Sequence, residues 1–276
     1  MESTQPTFWN DPTHTAVRPT SPAVGWVGGK SRLASRIIGI LQEIPHQTYA
    51  EPFVGMGGIF FRRDRRPPCE VINDRSRDVT NFFRILREHY VAFVDTLRYQ
   101  ITTRAEFERL LKVDPDTQTD LQRAGRFLYL QRLAFGGRVE GRSFGVSLGE
   151  PGAFDVSRLV PALEELHDRL KGVIIECLPY QDLLERYDRP ETLFYLDPPY
   201  HGTEQAYGKG LFSPDDFAPL AAQLERLKGR FVLSINATPR MREIFGRFQV
   251  EEVEVTYSLN GPAPMTAKEL IVRGPS

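Results

Sequence analysis

The feature that most restricts this chain is an alternation. Seven runs rich in β-branched and aromatic residues read as strands: "TYAEPF" (48–53), "EVIN" (70–73), "VIIECL" (173–178), "TLFYLD" (192–197), "RFVLSI" (230–235), "FQVEEVEV" (248–255) and "ELIV" (269–272). Helical periodicity fits 30–42, 77–88, 156–171, 214–228 and 239–246. Strands taking turns with helices predict an α/β fold whose mostly parallel sheet is covered on both faces. "LFSPDDF" marks one helix start, with Ser213 at the N-cap, Pro214 at the first helical position and Asp216 three residues after the cap.

Residues 79–155 interrupt the alternation with helical periods at 79–98, 104–112 and 120–135, followed by the glycine-punctuated "GGRVEGRSFGVSLGEPGAF" of a hairpin or mobile loop. This predicts a sheet domain formed by 24–78 and 156–276, with 79–155 inserted as a mainly helical subdomain. Residues 1–23 are polar, proline-punctuated and lack an apolar signal core, so they are expected to form a loose tail. No apolar run approaches the roughly 18 residues a membrane span needs, and a cytoplasmic protein is expected. Cys69 and Cys177 have no second cysteine or histidine at ligand spacing, which predicts neither a disulfide nor a metal site.

The net charge of −1 hides a local basic stretch. Between Gln122 and Arg142 stand Arg123, Arg126, Arg132, Arg138 and Arg142 against Glu140 alone, with Phe127, Tyr129 and Phe135 among them. Such a mixture suits phosphate contacts and base stacking. An arginine-biased genome would produce it too.

"GWVGGKSR" (25–32) invites a phosphate-loop reading, but that loop needs glycine where Val24 stands, and no buried strand precedes it. "YAEPFVGMGG" (49–58) is a better ligand site. A strand runs into a turn where Gly55, Gly57 and Gly58 let backbone approach a ligand at the strand's carboxyl end. Asp74 closes the next strand 19 residues after Gly55, where a carboxylate can accept from both ribose hydroxyls of a nucleoside. An adenosine-containing cofactor fits; a plain tight turn with a helix-capping aspartate is the simpler alternative.

"LFYLDPPY" (193–200) delivers Asp197 at the end of an apolar strand, and Pro198 and Pro199 stiffen the backbone beyond it. What remains is an acceptor pair, the Asp197 carboxylate and the Pro198 carbonyl, beside the ring of Tyr200. An exocyclic amino group on an aromatic ring needs such acceptors to hold its hydrogens and offset charge developing on nitrogen. Tyr200 can stack on the base.

In order, "WVGGK" (26–30), "EPFVGMGG" (51–58), "IND" (72–74), "FLYLQRLAFGG" (127–137), "DPPY" (197–200) and "SLNG…KELIV" (258–272) resemble the Dam-type, D12 class family of bacterial and phage DNA adenine-N6 methyltransferases. The resemblance implies a Rossmann-like methyltransferase sheet of seven strands with a reversed last hairpin, and a target-recognition role for the insertion. It implies S-adenosylmethionine as methyl donor, S-adenosylhomocysteine as product, and double-stranded DNA from which one adenine is extruded. Trp26, Lys30, Asp74 and Asp197 carry over as cofactor-site residues. Phe53, Gly55 and Gly57 wall the methionine end, and Pro179 and Tyr180 flank the adenine ring. Asp197, Pro198, Pro199 and Tyr200 form the catalytic motif, and the five arginines of the insertion meet DNA. A cognate restriction enzyme encoded elsewhere is a compatible partner. "AFGGRVEG" stands where Dam itself has an asparagine-glycine pair, and Pro262 and Pro264 enter the last loop, so base-reading residues do not transfer. Cytosine-N4 methyltransferases share the fold but usually carry serine in place of Asp197, and protein glutamine methyltransferases typically asparagine. A DNA-binding module with a dead cofactor site is the non-enzyme alternative, against which the intact motif counts.

Overall fold

The computed structural model describes residues 13–26, 28–145, 152–208, 210–257 and 265–274. Its main sheet contains β2 (Thr48–Glu51), β4 (Cys69–Asn73), β5 (Ile174–Glu176), β6 (Thr192–Leu196), β7 (Arg230–Asn236), β8 (Gln249–Tyr257) and β9 (Met265–Arg273), ordered β5-β4-β2-β6-β7-β9-β8. The first five run parallel to one another, while β9 runs antiparallel to both β7 and β8. The expected seven-stranded, mostly parallel sheet with a reversed last hairpin is therefore present. The last loop, with Asn260, Gly261, Pro262 and Pro264, lies outside the described residues.

Each central strand is apolar on both faces, as a doubly covered sheet requires. Tyr49, Ile72, Leu193, Tyr195 and Val232 point to one core with α1 (Ala34–Glu43), α2 (Arg77–Glu88) and α6 (Val156–Arg169). Their neighbours Ala50, Val71, Phe194, Leu196 and Leu233 point to a second, with α7 (Tyr180–Tyr187), α8 (Phe217–Leu224) and α9 (Pro239–Phe245). Periodicity reading missed α7, a helix of eight residues whose Leu183 and Leu184 are fully buried. The Ser213 start is as expected: its N–H donates to Asp216 at 2.7 Å and Pro214 follows.

Between β4 and β5 the chain forms α2, α3 (Tyr90–Leu97), α4 (Arg104–Leu111) and α5 (Asp120–Leu133). Thr103 caps α4 by accepting from Glu106 N–H, and Thr119 and Gln122 form a capping box on α5. Among the described residues the insertion has no separate core. Phe93, Phe107 and Phe127 belong to the same buried cluster as Tyr49 and Ile72, and α2, which spans residue 79, packs on α5. After α5 the chain closes a short hairpin, with an Ala134–Phe144 bridge and Phe135 N–H donating to Ser143 at 2.9 Å.

The loose tail expected over 1–23 does not hold for residues 13–23. β1 (Thr15–Ala16) pairs with β3 (Arg65–Arg66), Thr20 N–H donates to the Phe61 carbonyl, and Ala23 is 4% exposed. The pairing strand is too short to register as a sequence pattern. Residues 1–12 lie outside the described residues.

Candidate active site

β4 and β6 lie on opposite sides of β2, so the order of connection reverses there, and ligands of open α/β sheets bind outside the carboxyl ends at such a point. A cavity of about 370 Å³ occupies that position. Asn73, the last residue of β4, ties three strand ends together: its amide donates to the carbonyls of Pro52 (2.8 Å) and Leu178 (3.1 Å), and its oxygen accepts from Leu178 N–H (2.8 Å). Asn236 at the end of β7 brackets the backbone of His201 on both sides, at 2.9 and 3.0 Å, and so pins the segment just beyond Asp-Pro-Pro-Tyr.

The glycine turn is closed by its acid. Gly55 N–H donates to Asp74 at 3.0 Å, and the other Asp74 oxygen accepts from Ser76 N–H at 2.8 Å. Asp74 therefore fixes the turn and the backbone just before α2, and it lines the cavity. Burial lifts its carboxyl to about 6, against these two N–H donors. Gly55 has φ +50°, and a Cβ there would lie 2.7 Å from Trp26 Nε1, so the indole is laid on the turn itself. Gly57 (φ +74°) faces away from the cavity: a Cβ on it would meet the Phe61 ring at 2.4 Å. Its contribution is to the turn, not to the cavity wall.

Lys30 reaches the Asp-Pro-Pro-Tyr segment. Its Nζ lies 2.5 Å from Asp197 Oδ1, donates to the Gly28 carbonyl at 3.2 Å and sits 4.3 Å above the Tyr200 ring. Ser234 also donates to Asp197 Oδ1, at 3.3 Å, and exchanges a 2.8 Å hydrogen bond with the Tyr195 hydroxyl. Burial raises the Asp197 carboxyl to about 6, against the opposing pull of Lys30. Glu51, at the end of β2, is 2% exposed and accepts from the Tyr49 hydroxyl at 2.7 Å. Burial carries it to about 8, only partly offset by that hydrogen bond and by Arg63.

Of the residues singled out in the sequence, Trp26, Lys30, Phe53, Gly55, Gly58, Asp74, Arg132, Asp197 and Pro199 line this one cavity, whereas Pro198 and Tyr200 lie outside its lining. So does Tyr180. It stands behind Phe53 and Phe212, with ring centroids at 5.5 and 5.8 Å, and its hydroxyl donates to the Asp216 carbonyl. Phe212 and Leu211 take the lining place expected of Tyr180. Glu51 and Phe212 escaped sequence reading, although the first sits inside a quoted motif; its burial at a strand end is visible only in three dimensions.

The arginine stretch divides. Arg123 and Arg126 are each 9% exposed and internally engaged, Arg123 with Asp78 (2.5 Å) and Asp116 (2.7 Å), Arg126 with the Leu110 carbonyl (2.8 Å). Both brace the insertion, which corrects their expected place at the DNA surface. Arg142 donates to Gln131 Oε1 at 3.1 Å, and burial lowers it to about 10. Gln131 in turn donates to the carbonyls of Gly25 and Gly137, tying the hairpin to the segment before Trp26. Arg132 holds the Ala23 and Ala153 carbonyls at the cavity edge, and Arg138 is exposed near the hairpin tip beside Phe135, which is 60% exposed. Among the described residues no helix is long and apolar enough to cross a membrane, and no group of three His, Cys, Asp or Glu is placed to hold a metal ion.

A mostly parallel α/β sheet with a reversed last hairpin, and a glycine turn, an acid after β4 and Asp-Pro-Pro-Tyr gathered at its switch point, is the arrangement of a Rossmann-like methyltransferase. The family model for D12 class N6 adenine-specific DNA methyltransferases matches residues 26–259, and the chain belongs to that family. It is similar to the Type II methyltransferase M.CviBI of Paramecium bursaria Chlorella virus NC1A, 24% identical over 240 residues, covering 86% of this chain and 90% of the relative. It is similar to the Type II methyltransferase M1.LlaDCHI of Lactococcus lactis subsp. cremoris, 26% identical over 255 residues, covering 85% and 88%. A 24% match over 244 residues to the DNA N-6-adenine-methyltransferase of Escherichia phage P1 covers 82% of this chain and 31% of that protein. The chain is thus an adenine-specific DNA methyltransferase, and the cytosine-N4 alternative falls away.

Proposed function

We propose that the cavity takes S-adenosylmethionine and presents it to an adenine extruded from double-stranded DNA, leaving N6-methyladenine and S-adenosylhomocysteine. The observation that carries this reading is the convergence of the Gly55 turn, Asp74 and Asp197 on one cavity of about 370 Å³, within the range of small-molecule sites. The residues fit the donor: Asp74 offers acceptors to ribose hydroxyls, Phe53 and Phe212 offer apolar ring surface, and Gly55 leaves no side chain between Trp26 and the turn. The bound donor supplies an electrophilic methyl carbon.

The chain's own residues do the rest. Asp197 and the Pro198 carbonyl accept the hydrogens of the adenine amino group and offset positive charge as nitrogen bonds to the methyl carbon and the carbon–sulfur bond breaks, and the proton the nitrogen then sheds passes by Asp197 to solvent. With its carboxyl near 6, Asp197 is ionised at neutral pH, and Lys30 and Ser234 fix the oxygen they share. Lys30 covers one face of Tyr200, so a stacked base takes the opposite face. DNA lies over the hairpin that carries Phe135 and Arg138, with Arg132 at the cavity edge. The insertion over 79–155 serves as the target-recognition part, and the enzyme works in the cytoplasm. The Type II names of two relatives support a restriction–modification setting with a cognate restriction enzyme.

The test is a product assay: unmethylated DNA is incubated with the protein and methyl-labelled S-adenosylmethionine, digested to nucleosides and analysed by mass spectrometry. Labelled N6-methyladenine is expected. Labelled N4-methylcytosine, or unlabelled DNA despite donor binding, would overturn the assignment.

A further inference from the structure

Glu269 is placed where a carboxylate is costly. It lies in β9, opposite Asn236 of β7 and Val253 of β8, and is 1% exposed. Leucine or isoleucine, which follow it in the strand, would suit the position better on packing grounds alone. Its partners explain its presence. The Tyr200 hydroxyl donates to Glu269 Oε1 at 2.7 Å, and Lys30 Nζ lies 4.0 Å from Oε2. Lys30 is at the same time 2.5 Å from Asp197 and 4.3 Å above the Tyr200 ring. Glu269, Tyr200, Lys30 and Asp197 therefore close a ring of contacts in which Glu269 alone comes from the reversed hairpin.

A hydroxyl held at 2.7 Å by a buried acceptor anchors the far end of the Tyr200 ring, the Lys30 ammonium 4.3 Å above it covers one face, and Pro199 restricts the backbone before it. We propose that Glu269 is a positioning residue for methyl transfer, which anchors the Tyr200 ring by its hydroxyl and holds the Lys30 ammonium over that ring and against Asp197. It touches neither donor nor base and acts through these two side chains, so the inference rests on the proposed roles of Asp197 and Tyr200. Reactions of positioned groups lose rate steeply when the supporting shell slackens, about 100-fold for a displacement near 1 Å.

Single-turnover and steady-state rates on unmethylated DNA test it with Glu269→Leu, Glu269→Gln, Tyr200→Phe and the Leu/Phe double variant. Glu269→Leu is expected to lower kcat about 10- to 100-fold, with KM for DNA and donor affinity changed less than about threefold. Glu269→Gln keeps an acceptor for the hydroxyl and recovers most of that loss. The double variant is no slower than the slower single one, because both substitutions remove the same contact. Wild-type kcat in Glu269→Leu, multiplying effects in the double variant, or a loss confined to KM would overturn the proposal. Should Glu269→Leu fail to fold, Tyr200→Phe decides alone, since it removes one oxygen and unchanged kcat in it refutes the positioning role. Asp197→Ala is measured in parallel. It should abolish turnover and spare most DNA affinity. If it retains turnover, the site reading itself fails; if it is inactive while the Glu269 and Tyr200 variants are unimpaired, only the positioning role fails.

Discussion

Glu51 provides a quantitative test of how this site is charged. Its carboxyl is buried at the end of β2 and carried from 4.5 to about 8, burial being the largest cause. A folded-state value raised above the unfolded one means that the native protein holds the proton more tightly. The associated stability is complete below about 4.5, declines as pH rises through the interval, and is fully lost above about 8. With about 1.4 kcal/mol per unit of pKa, the ionisation of Glu51 costs under about 1 kcal/mol at pH 5 and about 3 kcal/mol at pH 7. Glu51→Gln keeps an acceptor for the Tyr49 hydroxyl and removes the titration. Its stability relative to wild type should therefore improve by about 2 to 3 kcal/mol between pH 5 and pH 7 and change little beyond pH 8.

Urea denaturation of both proteins at half-unit pH intervals measures this gap. Asp74 and Asp197 titrate in both, so to first order they cancel in the difference. A constant offset from the amide is irrelevant, because only the slope of the gap against pH is predicted. A gap that does not widen between pH 5 and 7, or that narrows, would refute the reasoning: it would mean that Glu51 is already ionised in the native state, with Arg63 outweighing burial.

Gly55→Ala places a Cβ 2.7 Å from Trp26 Nε1 at a φ of +50°. It should cost about 1 to 3 kcal/mol of stability and weaken donor binding by at least about tenfold, as read by urea melts and donor titration. Glu70 is 1% exposed and binds both Arg63 (2.9 Å) and Arg169 (2.6 Å on each of two bonds). Glu70→Leu strands two buried guanidinium groups and should destabilise by about 3 to 5 kcal/mol, measured by the same melts. Activity at saturating DNA and donor should fall about tenfold per pH unit below about 6, where Asp197 is protonated; a pH–rate profile flat between 5 and 7 would contradict the acceptor role.

The sheet was legible because its central strands are apolar on both faces and each is bounded by turn residues. Arg77–Glu88 could be read residue for residue, since Phe82, Phe83 and Leu86 recur at helical spacing. α7 was not, because eight residues following Pro179 hold too few turns to establish a period. The site was legible where backbone chemistry demands a residue type: glycine at positive φ in the Gly55 turn, an acid after β4, proline after Asp197. It was illegible where the decisive property is burial. Arg123 and Arg126 look like DNA contacts in a string of letters, yet helix α5 turns them inward onto Asp78, Asp116 and the Leu110 carbonyl. Arg138, five residues beyond α5 in the hairpin, remains exposed. Charge patterning counts residues, and a helix distributes them over all its faces.

Lys30 shows why the motifs lie so far apart in the chain yet depend on one another. Its segment is held from outside by Gln131 and Arg132, which bind the carbonyls of Gly25 and Ala23, and from inside by Trp26 laid on Gly55. The ammonium then stands between carboxylates from β9 and from the end of β6, 4.0 Å from Glu269 and 2.5 Å from Asp197. Arginine could not serve in the same way. Its planar fork spreads the charge over a larger group, whereas three donors on a compact ammonium can meet Asp197 and the Gly28 carbonyl at once and still rest above the Tyr200 ring. Without that charge, the Asp197 carboxyl would rise further above its value near 6, and a protonated Asp197 can no longer accept both its neighbours' hydrogens and those of an adenine. The lysine of "GWVGGKSR" thus pairs with Asp197, and in the proposed mechanism its charge keeps that carboxylate ionised.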